Sequence, residues 1–141
     1  MDRKEFLASL GLSAASVALF TCAACSKTSD SPMGTPTGPT GVDFSLDLNA
    51  SANAALLNNG GYLTTQDVIV ARTLAGSYIA VQRSCTHQNY GLVYHPNTSR
   101  FFCNNHGATF SETGAVEVGP ARSPLTVYHT QLTGTTLRIY S

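Results

Sequence analysis

Two short arms constrain this chain more than any other feature. The first is Cys85-Thr86-His87. Fifteen residues later comes the second, Cys103-Asn104-Asn105-His106-Gly107. Each arm pairs one sulfur donor with one nitrogen donor, and two thiolates with two imidazoles make a complete four-ligand metal set. The arms lie a hairpin's length apart, so a fold that uses them together must bring two strand ends or loops face to face on a rigid scaffold. The chain has four cysteines, of which Cys22 and Cys25 lie in a leader-like segment and leave Cys85 and Cys103 for the folded part. Those two suit either one disulfide or one shared metal, and the histidine beside each favours the metal.

The rest of the chain reads as address, tether and scaffold. Its 141 residues suit a single domain. Charged residues make up 11% and the formal net charge is zero, which excludes a nucleic-acid partner held by phosphate neutralisation. Arg3-Lys4, an apolar run from Phe6 to Phe20 and the ending Ala23-Ala24-Cys25 have the layout of an export signal. The ending resembles a bacterial lipoprotein processing site, with Cys25 as the acylated residue. Cys22 stands where such sites usually carry an aliphatic residue, so cleavage before Cys22 is an alternative. The Arg3-to-Leu7 stretch also resembles a twin-arginine signal with Lys4 in place of the second arginine. An uncleaved anchor from Phe6 to Cys25 is just long enough to span a bilayer. Every version puts the domain on the periplasmic side of a bacterial cell envelope, held to a membrane by a lipid anchor or an N-terminal helix.

Residues 1–25 are thus the export and lipoprotein signal, 26–41 a Pro/Gly/Thr-rich tether and 42–141 the folded domain. The tether is too polar and too rich in small residues to bury a core, and its prolines keep it extended. From Val42 onward the pattern turns to strands. Val42–Leu48 alternates apolar and polar. Ala50–Leu57 suggests a short helical turn. Strands follow at Tyr62–Thr65, Val68–Arg72 and Ser77–Gln82. Further strands are expected at Leu92–Tyr94 and Arg100–Phe102 around a loop His95–Ser99, and at Thr109-Phe110 and Ala115-Val116 around Glu112-Thr113-Gly114. Leu125–Gln131 and Thr135–Tyr140 form a last hairpin about Thr133-Gly134. Many short strands with frequent turns predict an antiparallel all-β sandwich or small barrel.

Zinc takes two Cys and two His as well, but its common modules place like ligands on each arm. Mixed arms are what a Rieske centre uses, and the stretch resembles the Rieske [2Fe–2S] family, whose pattern is Cys-x-His, a hairpin-length spacer and Cys-x-x-His-Gly. The resemblance extends through His106-Gly107-Ala108-Thr109-Phe110, Gly114, Val116, Gly119-Pro120-Ala121 and Pro124-Leu125, which match the family's His-Gly-x-x-aromatic stretch and the proline loop over its cluster. It implies a Rieske-type sandwich with a cluster-binding subdomain of two hairpin loops and one [2Fe–2S] cluster per chain. Carried over position by position, Cys85 and Cys103 are expected on one iron and His87 and His106 on the other. Imidazoles in place of two thiolates raise the reduction potential.

The departures carry information too. Quinol-oxidising members have a cysteine at the positions of Tyr90 and Asn105, joined as a disulfide, and both are absent here. Where those proteins place a Ser and a Tyr that donate to sulfur, this chain has Ala108 and Phe110, so a potential toward the low end of the Rieske range is expected. Gln88 replaces the apolar residue after the first histidine. His95 and His129 read as surface residues, and Tyr62, Tyr78, Tyr94, Tyr128 and Tyr140 as packing residues. Gly107 and Gly119 read as points of close backbone approach, and Arg122 as a solvated loop charge. The function implied is one-electron transfer by a membrane-tethered, exported carrier rather than a self-contained enzyme, with a redox protein or a quinol as partner. Two alternatives stay open: the iron–sulfur subunit of a quinol–cytochrome reductase or other oxidoreductase complex, and a zinc-stapled structural domain of a lipoprotein.

Overall fold

A computed structural model describes residues 34–141. The expected signal, Cys22, the lipidation residue Cys25 and the first part of the tether lie outside the described residues. Among the described residues there are ten strands: β1 (Asp43–Asp47), β2 (Tyr62–Thr65), β3 (Val68–Arg72), β4 (Tyr78–Gln82), β5 (Leu92–His95), β6 (Arg100–Cys103), β7 (Thr109–Ser111), β8 (Val116–Val118), β9 (Val127–Thr133) and β10 (Thr136–Tyr140). They form a six-stranded sheet in the order β1-β10-β9-β4-β3-β2 and a four-stranded sheet in the order β5-β6-β7-β8. Every named pairing is antiparallel, so the all-β expectation holds.

Local chemistry explains the elements. Strand β3 reads Val-Ile-Val-Ala-Arg, and its first four residues are all buried. A continuous apolar run of that kind suits a strand covered on both faces. Ile69 and Ala71 enter one core with Val81, Phe101 and Phe110, while Val68 and Val70 enter a second with Leu56, Leu137 and Ile139. By contrast β1 alternates exposed and half-buried residues, as an edge strand with one wet face should. Gln66 and Asp67 both take positive φ, 49° and 59°, and make the two-residue turn between β2 and β3. The expected helical turn is a 3-10 turn at Ser51–Leu57, which buries Leu56.

Boundaries differ from the pattern reading by a residue or two. His95 completes β5, and Pro96–Thr98 is a 3-10 turn closed by Ser99 in the left-handed region. Leu125 lies before β9 because its N–H donates to the Gly114 carbonyl (2.9 Å) within a loop. His129 is an exposed strand residue, and Tyr62, Tyr78, Tyr94, Tyr128 and Tyr140 are buried or half-buried, as expected of packing residues. Among the described residues no helix is long and apolar enough to cross a membrane.

The site sits where the two sheets exchange strands. The first loop (83–91) connects β4 of the larger sheet to β5 of the smaller. The second (104–108) connects β6 to β7, and the third (119–126) returns from β8 to β9. The core that contains Ile69, Val81 and Phe110 also contains Cys85 and Cys103.

Candidate metal centre

Each loop is pinched shut at its base by backbone hydrogen bonds. In the first loop the Cys85 N–H donates to the Tyr90 carbonyl (2.7 Å), the Leu92 N–H donates to the Arg83 carbonyl (2.8 Å), and Ser84 bridges to Gly91. In the second the Cys103 N–H donates to the Ala108 carbonyl and the Gly107 N–H to the Cys103 carbonyl, both at 2.9 Å. Gly107 has φ +77°, a left-handed conformation that calls for glycine, and no protein atom lies within 4 Å of where its Cβ would stand. At Gly119 no protein contact calls for glycine, the nearest atoms lying 3.9 Å from a built Cβ.

The loops bring the four predicted side chains together in two pairs, cysteine with cysteine and histidine with histidine. At the base, Cys85 is 0% and Cys103 is 1% exposed, and both are free thiols. The disulfide alternative is therefore not realised. At the tips, the His87 and His106 rings meet edge to face, with centroids 4.7 Å apart and planes at 82°. Burial pushes the Cys85 thiol up. The backbone N–H groups of His87 and Gln88 oppose this by hydrogen-bonding the sulfur, and the neighbouring Cys103 thiol adds to the upward push.

The imidazoles are not equivalent. His106 is exposed, whereas His87 is half-buried and its Nδ1 is fully buried with no hydrogen-bond partner. A buried polar atom left alone costs about 1–3 kcal/mol, so the partnerless His87 Nδ1 is a candidate ligand atom. His106 Nδ1 instead lies 3.0 Å from the Asn105 side-chain nitrogen, which a ligand at that nitrogen would displace. Tyr90, 51% exposed, stands edge-on to His106 with centroids 6.3 Å apart. Tyr90 and Asn105 thus flank the exposed histidine from the two loops. Among the described residues no three His, Cys, Asp or Glu side chains are arranged to hold a single ion. A pair of sulfur donors and a pair of nitrogen donors fit a cluster with two irons better than one tetrahedral metal.

The third loop closes over the first. The Thr86 hydroxyl, in a residue 6% exposed, donates to the Ser123 carbonyl (2.6 Å), and Pro120, Arg122 and Ser123 share a cavity with His87. Ala108 and Phe110 are 0% exposed and present no hydroxyl to this region. Sequence reasoning missed two residues that shape the site. Thr86 lies inside the Cys-Thr-His arm and could have been found there. Gln82 gave no periodic signal because it ends an otherwise apolar strand as a buried amide, 1% exposed.

Residues 49–129 match the family described as the Rieske [2Fe–2S] domain. The iron–sulfur subunit 2 of the cytochrome b6-f complex from Trichormus variabilis is 33% identical over 54 residues, 38% of this chain and 30% of that protein. The chain therefore aligns with under a third of that relative's length. The cyanobacterial plasma membrane Rieske protein PetC3 from Synechocystis PCC 6803 is similar in structure, with TM-score 0.50 and 31% identity over 57% of this chain and 85% of the other. The ferredoxin of carbazole 1,9a-dioxygenase from Nocardioides aromaticivorans IC177 shares the fold, with TM-score 0.54 and 23% identity over 72% of this chain and 98% of its own. Matched over more than half its length, and with paired Cys–His loops at the heart of the match, the chain belongs to the Rieske [2Fe–2S] domain family, whose members hold one such cluster and pass electrons through it.

Proposed function

We propose that this protein is an exported, membrane-tethered one-electron carrier whose cluster is held by Cys85 and Cys103 on one iron and by His87 and His106 on the other. The observation that carries the reading is the pairing of donors: two free, buried thiols in one pair and two imidazoles in edge contact in the other, one with an orphaned Nδ1. When bound, the cluster supplies a reversible one-electron couple whose potential its imidazole ligands raise. The chain's own residues do the rest. The His87 and Gln88 N–H groups spread charge from the Cys85 sulfur. Phe101, Phe110 and Leu125 keep water from the thiolate side. His106 offers an exposed edge to a partner, with Tyr90 beside it.

A carrier is favoured over a complex subunit by Tyr90 and Asn105, which stand where the disulfide of quinol-oxidising members would be. The membrane tether rests on the leader and on Cys25 as its acylated residue. Fractionation of cells tests both points. The full chain should appear in the membrane fraction and, after mild detergent extraction, migrate alone with its iron. Cys25→Ala should move it to the soluble fraction. Migration with a cytochrome in a stable larger assembly would instead establish the subunit reading.

A further inference from the structure

Residues 34–39 fall in the stretch whose composition predicts a free tether, yet they are laid along the domain. The Gly38 N–H donates to Gln82 Oε1 (3.1 Å) and to Thr126 Oγ1 (3.2 Å). The Gln82 amide nitrogen donates to the Pro36 carbonyl (3.0 Å), and the Tyr128 hydroxyl donates to the Pro39 carbonyl (2.8 Å). The receiving side chains belong to the core, Gln82 at 1% and Tyr128 at 4% exposure. Gln82 also accepts from the Thr126 N–H and donates to the Ser84 carbonyl, both at 2.7 Å. All the strong bonding positions of this buried amide are thus occupied, and residues 34–39 occupy half of them. Without that segment, the Gln82 amide would lose one of two partners at its oxygen and one at its nitrogen, and the Tyr128 hydroxyl would lose its acceptor, which a buried network rarely tolerates.

Gly38 shows the closeness of the fit. A Cβ there would stand 2.2 Å from the Tyr128 hydroxyl and 2.7 Å from Gln82 Cβ, although its backbone is not in the left-handed region. Packing, not conformation, demands glycine. Pro36 and Pro39 contribute carbonyls and need no N–H partners, and their fixed φ reduces the entropy lost on docking.

The segment lies against the candidate metal centre. Gly34, Thr35 and Pro36 wall a cavity of about 330 Å³ with Thr86, His87, Gln88 and Asn89. Thr35 also faces His87 across the cavity shared with Pro120, Arg122 and Ser123. His87 therefore stands between this segment and the proline loop, while His106 is exposed.

We propose that residues 34–39 are a fixed strap of the domain that shields the His87 side of the cluster site and leaves His106 as its open face. The true tether then ends before Gly34. The shielding part rests on the ligand assignment above, and the docking part does not. Two thiolates and two neutral imidazoles around the cluster leave the reduced state more negatively charged than the oxidised one. Water favours the more charged state, so a strap that limits its access to His87 lowers the potential.

The test uses the loaded full-length chain as parent, Gly38→Ala, Tyr128→Phe and Gly34→Ala. Gly34 is the control, because nothing lies within 4 Å of its built Cβ. Two quantities are read: hydrogen exchange of the backbone amide at position 38, and the midpoint potential by titration with dithionite. In the parent and in Gly34→Ala the amide should exchange more than about tenfold slower than in a free peptide. In Gly38→Ala the protection should vanish and the potential become more positive, with Tyr128→Phe between. Free-peptide exchange at position 38 in the parent overturns the strap. Lost protection with an unchanged potential overturns its shielding role. A protected amide in a chain that binds no iron–sulfur cluster bears out the strap and refutes the ligand assignment.

Discussion

At the Gln82 amide, one residue joins the end of β4, the start of the first loop and the approach to β9. Truncating it leaves several buried partners unsatisfied at once, so Gln82→Ala should lose about 2–4 kcal/mol in urea unfolding. Tyr94 is a second buried polar case, its hydroxyl donating to Glu112 Oε1 at 2.5 Å. Burial first, then the Glu112 carboxylate, hold the phenol above its ordinary value. A folded pKa above the unfolded one gives stability fully present below about pH 10 and lost as pH rises further. Tyr94, and Tyr128 whose phenol burial also pushes up, should therefore remain protonated while exposed tyrosines ionise, and ultraviolet titration should show two fewer early steps than the tyrosine count implies. Ala108 tests the tuning of the site. At the position where quinol-oxidising members carry a hydroxyl, Ala108→Ser adds a donor that favours the extra electron. It should raise the midpoint on the order of 60 mV, a tenfold shift for one electron. The parent should lie toward the low end of a family range of about −150 to +300 mV.

Among the elements, β1 depends on β10 alone for its ladder, and an ion pair reinforces the register. Arg138 on β10 donates from Nε (2.8 Å) and Nη2 (2.5 Å) to the two carboxylate oxygens of Asp43 on β1. The hydrogen bond from Arg138 holds the Asp43 carboxyl below its usual value. Because the folded pKa is depressed, the contribution is present above about pH 4 and is lost as pH falls through the folded value. Melting curves of the parent and Asp43→Asn should thus differ modestly at neutral pH, the variant melting lower, and converge in acid. The strands themselves were largely legible, because alternation and turn residues act over a few neighbours. The Val68–Arg72 and Tyr62–Thr65 strands sit where the pattern puts them. The ends moved where a loop used the residue differently, as at Leu125, whose backbone serves the third loop, and at His95, which stacks on Phe102 and extends β5.

For the molecule as a whole, one core serves the six-stranded sheet and the other runs up to the cysteines. Removing the metal should act first on the core that contains Cys85 and Cys103. Hydrogen exchange should quicken in residues 83–91 and 103–108 and the melting temperature should fall, while β3 and β10 keep their protection. The candidate ligands were legible because donor type and spacing are local properties of a sequence. What escaped notice was long in range. Gln82 meets Gly38 across 44 residues, Thr86 meets Ser123 across 37 and Tyr128 meets Pro39 across 89. Hydrogen bonds of that span leave no period in the chain, and residues 34–39 looked like tether because Pro, Gly and Thr also make one.

The assignment of one cluster to two mixed arms is tested most directly by electron paramagnetic and electron–nuclear double resonance on the dithionite-reduced protein, with iron and acid-labile sulfide analysed on the same sample. Equal iron and sulfide, a pair of each per chain, and two nitrogen couplings that change in His87→Ser and His106→Ser are the predicted result. Zinc without labile sulfide, or a reduced cluster with no nitrogen coupling, would contradict it.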